Sequence, residues 1–104
     1  MTKYLILWQF NPALLQLTGE ERVKLLIKLS EMIKENIKNG IIKDWGMSPD
    51  ESIGYIISEQ TEKELYAALL PFVSYISFKV HPMLSVNEVL EEIKNLPKQI
   101  FLSR

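Results

Sequence analysis

The sequence predicts an α+β domain whose strands and helices follow the order β-α-β-β-α-β, with a further helix at the C-terminal end. Three observations predict it. Residues 4–10 (Tyr-Leu-Ile-Leu-Trp-Gln-Phe) form a strand that does not alternate apolar with polar, so it expects cover on both faces. Three Ser/Thr-x-x-Glu boxes, at Thr18/Glu21, Thr61/Glu64 and Ser85/Glu88, mark helix starts before apolar runs. Finally, two substantial helices cover one face of a small sheet, which leaves its second face to a subunit, a ligand or both.

Each element follows in chain order. Residues 3–10 are the first strand, and Asn11-Pro12 ends it, because proline removes a ladder donor and restrains the residue before it. The first helix spans 19–38. Val23, Leu26, Ile27, Ile33 and Ile37 form its apolar set, and Glu20 and Lys24 are a favourable i,i+4 pair on the outer face. Asn39-Gly40 supplies a left-handed stop. Strands at 41–47 and 52–58, joined by Ser48-Pro49-Asp50-Glu51, predict an antiparallel hairpin. A short helix follows Thr61 and ends at Pro71, and a strand from Ser74 closes at His81-Pro82. The last helix runs from the Ser85 box to about Asn95. This order is the ferredoxin-like pattern of split β-α-β units, and right-handed crossovers put both main helices on one face of a four-stranded antiparallel sheet. The apolar tail at 99–102 is expected to dock on its own subunit or on a neighbour.

Composition narrows the function classes. The 104 residues read as one domain, 1–104, with an ordinary apolar share of 47%. The formal net charge is −1, so no general attraction to nucleic acid or to an anionic membrane is expected. There is no cysteine, which excludes disulfide and thiolate chemistry. The chain shows no secretory leader pattern and no apolar run long enough to span a bilayer, so a cytoplasmic protein is the expectation.

Strand alternation assigns faces. In the last strand Ile76, Phe78 and Val80 suit the helix side, which sends Tyr75, Ser77, Lys79 and His81 to the open face. Gly54 suits close packing under the helices and puts Tyr55 on the open face. Leu5 and Leu7 suit the helix side, so Tyr4, Ile6, Trp8 and Phe10 are expected on the open face, with Lys43, Trp45 and Met47 sharing one side. The expected open face is then an aromatic cavity of Tyr4, Trp8, Trp45 and Tyr55, with Lys43 and Lys79 as anion contacts and His81 beside them. The same aromatics equally suit a filled dimer interface, and composition does not separate the two.

The stretch from Leu69 to Pro82, with its Leu70-Pro71-Phe72 exit from a helix and a strand ending at His81-Pro82, resembles the dimeric α/β-barrel superfamily. Muconolactone isomerase-like proteins are the closest in pattern, and Gly54-Tyr55-Ile56-Ile57 fits as well. The resemblance implies two ferredoxin-like subunits packed sheet to sheet as a homodimer. It does not fix an activity, since that superfamily holds isomerases, cofactor-independent monooxygenases, haem-linked enzymes and proteins with no known activity. No isomerase residue is carried over.

Candidate chemistry is sparse. His81 is the single histidine and the one side chain that titrates near neutrality, so it is the candidate general acid or base, against a strand-end histidine that only bonds nearby backbone. Lys43 and Lys79 could hold a carboxylate or enolate, against two solvated lysines. Asp44 and Glu59 are weaker candidates, with Asp44 expected to face away from Trp45. One histidine and no cysteine make a metal site unexpected, and no phosphate loop or serine elbow is present, so no cofactor is expected. The reading is a small-molecule-binding homodimer, as an isomerase or oxygenase-like enzyme on a small carbonyl, lactone or aromatic compound. The alternative is a non-catalytic ligand-sensing or assembly module.

Overall fold

The computed structural model describes residues 1–96; the expected docking of the 99–102 tail lies outside them. The chain is α+β, with a four-stranded antiparallel sheet and three α-helices, compatible with a ferredoxin-like fold. The elements are β1 (Thr2–Phe10), α1 (Gly19–Lys38), β2 (Asp44–Met47), β3 (Gly54–Gln60), α2 (Glu62–Leu69), β4 (Ile76–Met83) and α3 (Val86–Lys94). The sheet order is β2-β3-β1-β4. Two single 3-10 turns, Pro12–Gln16 and Leu70–Phe72, lead into α1 and away from α2, each with a proline in its first turn.

All three helix starts form as complete capping boxes. Thr18, Thr61 and Ser85 accept from the amides of Glu21, Glu64 and Glu88, and each glutamate reaches back to its cap amide. These bonds favour the ionised carboxylates, so Glu64 and Glu88 sit below the ordinary glutamate pKa. The helix α1 ends at Asn39, and Gly40 takes the left-handed conformation at φ 77°.

Several strand boundaries differ from expectation: β3 runs 54–60 rather than 52–58, and β4 begins at Ile76 rather than Ser74. Residues 41–43 are not part of β2, because the amides of Ile41 and Ile42 bond back to the Asn36 carbonyl and hold this segment against α1. Pro82 lies inside β4 rather than closing it. The strand is at the sheet edge, where a missing N–H breaks no inner ladder, and Pro82 pairs with Tyr4.

Register sets the two faces. Trp8 pairs with Gly54 and Phe78, Ile6 with Ile56 and Val80, and Trp45 with Ile56. Directly opposite residues share a face. Tyr4, Ile6, Trp8, Trp45, Ile56, Ser58, Ile76 and Phe78 therefore all point to the helices. There they pack with Leu29 of α1, Leu65 of α2 and Phe72. Leu5, Leu7, Asp44, Tyr55, Ile57, Lys79 and His81 share the open face.

The molecule is long, at 62 × 29 × 22 Å with a radius of gyration of 18.2 Å. A compact domain of about 100 residues has a radius near 13 Å. The difference matches α3, which projects from the sheet; every residue from Lys79 to Asn95 is exposed.

Candidate functional site

Sequence parity placed β1 on the wrong face. Tyr4 and Trp8 lie in the core beneath the helices, 2% and 3% exposed, and Trp45 stacks on Trp8 there. They are not on the open face with Tyr55, Lys79 and His81. The physical reason is a fit between a large and a small residue. Gly54 directly opposes Trp8, and a Cβ at position 54 would fall 2.0 Å from Trp8 Cε2. The glycine was legible as a point of close approach, but the group approaching is the indole across the strand pair, not a helix. Because Gly54 faces the helices, so does Trp8. Leu5 and Leu7 consequently go to the open face, where they stand half-buried opposite His81 and Lys79.

The indoles of Trp8 and Trp45 are 5.6 Å apart and 24° from parallel, and Phe10 meets Trp8 edge-on at 5.2 Å. Two adjoining cavities share Trp8, Ile33, Trp45 and Ile76 as walls. One, of about 30 Å³, reaches Ser58, Gln60 and Asn36 between α1, α2 and the sheet; that is room for a water. The other, of about 100 Å³, lies under α1 and is edged by Phe10, Leu26, Ser30, Met47 and Glu51.

The polar groups around these cavities differ in how they are satisfied. Buried Ser58 donates from Oγ to the Ile41 carbonyl at 2.6 Å and accepts from Gln60 Nε2. In contrast, Trp8 Nε1 is buried with no hydrogen-bond partner among the described residues. A buried N–H without an acceptor costs about 1–3 kcal/mol, so this donor marks where an acceptor would be stabilising. At the mouth, Arg22 of α1 grips Glu51 with Nη2 3.2 Å from both carboxylate oxygens. Glu51 holds a left-handed φ of 62°, uncommon for a residue with a side chain. This pair ties the β2–β3 turn to α1 beside the larger cavity.

The remaining predicted residues lie apart from the indoles. Lys43 bonds through its amide to the Ile57 carbonyl, and its Nζ lies 3.9 Å from where a Cβ on Gly40 would stand. It thus reaches the C-terminal end of α1, where helix carbonyls favour a cation. Lys79 and His81 are exposed on the open face, on the other side of the sheet from Trp8. Tyr55 is on the open face as expected, and its hydroxyl donates to Asp44 Oδ2 at 2.9 Å. That bond, with a small desolvation and the Asp44 charge, raises the phenol above its ordinary pKa. Gly46 makes room for the Tyr55 ring, since a Cβ there would lie 2.3 Å from Cε1. Asp44 does face away from Trp45, but the face it takes is the open one.

Sequence reasoning missed the orphan Trp8 donor and the Ser58–Gln60 pair. Ser58 and Gln60 alternate with Ile57 and Glu59, and that alternation was the available signal for a polar pair on the helix side. Among the described residues no group of three or more His, Cys, Asp or Glu side chains converges as a metal site would require. Among them, too, no helix is long and apolar enough to cross a membrane. The chain matches no protein-family model and shows no significant similarity to a curated protein.

Proposed function

We propose that the protein is a homodimer that binds a small, neutral, single-ring compound carrying a hydrogen-bond acceptor. The stacked Trp8 and Trp45 indoles on the wall of the larger cavity carry this reading. With Phe10 and aliphatic side chains they supply ring faces, and the Trp8 N–H, unpartnered among the described residues, is the donor that the ligand's acceptor would engage on the Gly54 side of the indole; apolar walls with few polar groups suit small molecules. An apolar cavity of about 150 Å³ takes up benzene, so the cavity of about 100 Å³ sets an upper limit of one ring, seated with the adjoining space of about 30 Å³. The homodimer reading is supported by the open face, where no helix of the described residues lies above Leu5, Leu7, Ile57 and Tyr55. The sheet order β2-β3-β1-β4 agrees with a dimeric α/β-barrel subunit, as the resemblance to muconolactone isomerase-like proteins implies. A cytoplasmic setting belongs to the same proposal.

A reaction is not part of the proposal. His81 and Lys79 stand across the sheet from Trp8, so neither reaches a ring bound beside the indole in the same subunit. Tryptophan fluorescence titrated with phenol, and with toluene as a ring lacking the acceptor, tests the ligand reading. Saturable binding of phenol that exceeds toluene, with the excess abolished by Trp8→Phe, supports it. Equal affinity for both rings, or no binding of either, rules out an oriented ligand and favours an assembly module. Sedimentation velocity reports the dimer independently.

A further inference from the structure

We propose that α3 is an exchanged arm, which seats on the open sheet face of a second copy of this chain; the proposal rests on the homodimer reading above. Val86, Val89, Leu90 and Ile93 follow the i, i+3, i+4, i+7 spacing and form one apolar stripe along α3. Among the described residues the stripe is left open, with Val86 72% exposed and Leu90 45%. A helix of nine residues gains too little from its own hydrogen bonds to persist alone, so its stability comes from docking.

Two features select a second copy as the occupant. The first is continuity. Met83 pairs with Lys3 and so falls on the open face with Lys79 and His81. Met83 and Leu84, 36% and 65% exposed, carry that face directly into the α3 stripe. A contact made by the sheet face of one copy therefore continues onto its arm, and a two-fold axis lets each copy place its arm on the other. The second is charge. The helix α3 carries Glu88, Glu91 and Glu92 against Lys94. Around Leu5 and Leu7 the open face presents Lys3 and Lys79, with Glu59 opposite Lys3 and Asp44 opposite Ile57. The apolar stripe with its acidic surround thus meets an apolar strip whose β1–β4 side carries the two lysines. At about 1.5 Å per residue α3 is about 13–14 Å long, enough to cover about half the length of the β1–β4 pair and to leave the rest of the face to the partner sheet.

The cysteine-free chain permits a direct test. A spin label on Val89→Cys is mixed with isotope-labelled wild-type chain, and the dimer is followed by sedimentation for wild type and Leu90→Glu. The expected result is broadening of the Leu5, Leu7 and Lys79 amides in the wild-type copy, and a dimer at least tenfold weaker for Leu90→Glu, with its monomer fold unchanged. A wild-type dimer with no such broadening and unaltered affinity for Leu90→Glu overturns the arm and leaves the sheet-face dimer standing. In a second sample the spin-labelled chain itself carries the isotope and is diluted with unlabelled wild type; broadening seen there and not in the first sample shows α3 folding back on its own sheet and also overturns the arm. A monomeric wild type overturns both readings.

Discussion

Trp8 and Gly54 oppose each other across the β1–β3 pair, and the indole occupies the space a side chain at position 54 would need. The nearest ring atoms lie 2.0, 2.2 and 2.4 Å from the position of that Cβ. The ring cannot withdraw, since it is held between Trp45 and Phe10. This one relationship sets the face of β1 and builds one wall of the cavity.

Gly54→Ala therefore overpacks the core. Such insertions cost about 1–3 kcal/mol. Gly19→Ala is the control, because a Cβ there meets nothing within 4 Å; it is expected to be neutral or to stabilise by up to about 1 kcal/mol. Urea denaturation of the two variants checks the contrast. Equal midpoints would mean that the indole moves aside freely.

Ser58 is the hinge of a buried polar pair. Ser58→Ala leaves the Ile41 carbonyl without its hydroxyl donor and Gln60 Nε2 without its acceptor. The expected loss is about 1–3 kcal/mol, the cost of stranding buried polar groups. The double variant Ser58→Ala/Gln60→Leu removes the stranded amide and is expected to be more stable than Ser58→Ala alone. If the second change adds a full further loss, the two residues act independently.

Beside the two capping glutamates, exposed Asp50 and Tyr55 titrate away from their ordinary values, in opposite senses. Asp50 accepts from the Ser52 and Ser48 hydroxyls and from the Ser52 amide, which lowers it from 3.8 to about 2. Its folded pKa is depressed, so its contribution is full above 3.8 and fades as pH falls through about 2. The Ser52 amide resonance is expected to shift with a midpoint near that lower value. Tyr55 is raised above 10.0 by Asp44, so its contribution is present below that pH and is lost as pH climbs further. Phenolate absorbance is expected to show a late-titrating component from Tyr55 that Asp44→Ala brings forward. An unchanged titration in that variant would remove Asp44 as the cause.

Much of the fold was legible because its signals are local. Each Ser/Thr-x-x-Glu box is complete within four residues, and all three start helices where they stand. Asn39-Gly40 stops α1 for a reason contained in the backbone of Gly40. Strand type and order follow from runs of β-branched and aromatic residues and from turn chemistry. Faces are different in kind. Within one strand, Trp8 and Leu7 are equally credible core residues, and parity offers no way to choose.

The sequence by itself determined the α+β class, the helix starts, and a sheet with more apolar surface than its two main helices cover. Only the tertiary structure decided that Trp8 and Trp45 lie under those helices while Lys79 and His81 face the open side. It did so through cross-strand register, in which the one residue with no side chain at position 54 admits the largest at position 8. That choice depends on packing between segments more than forty positions apart, so no local pattern carries it.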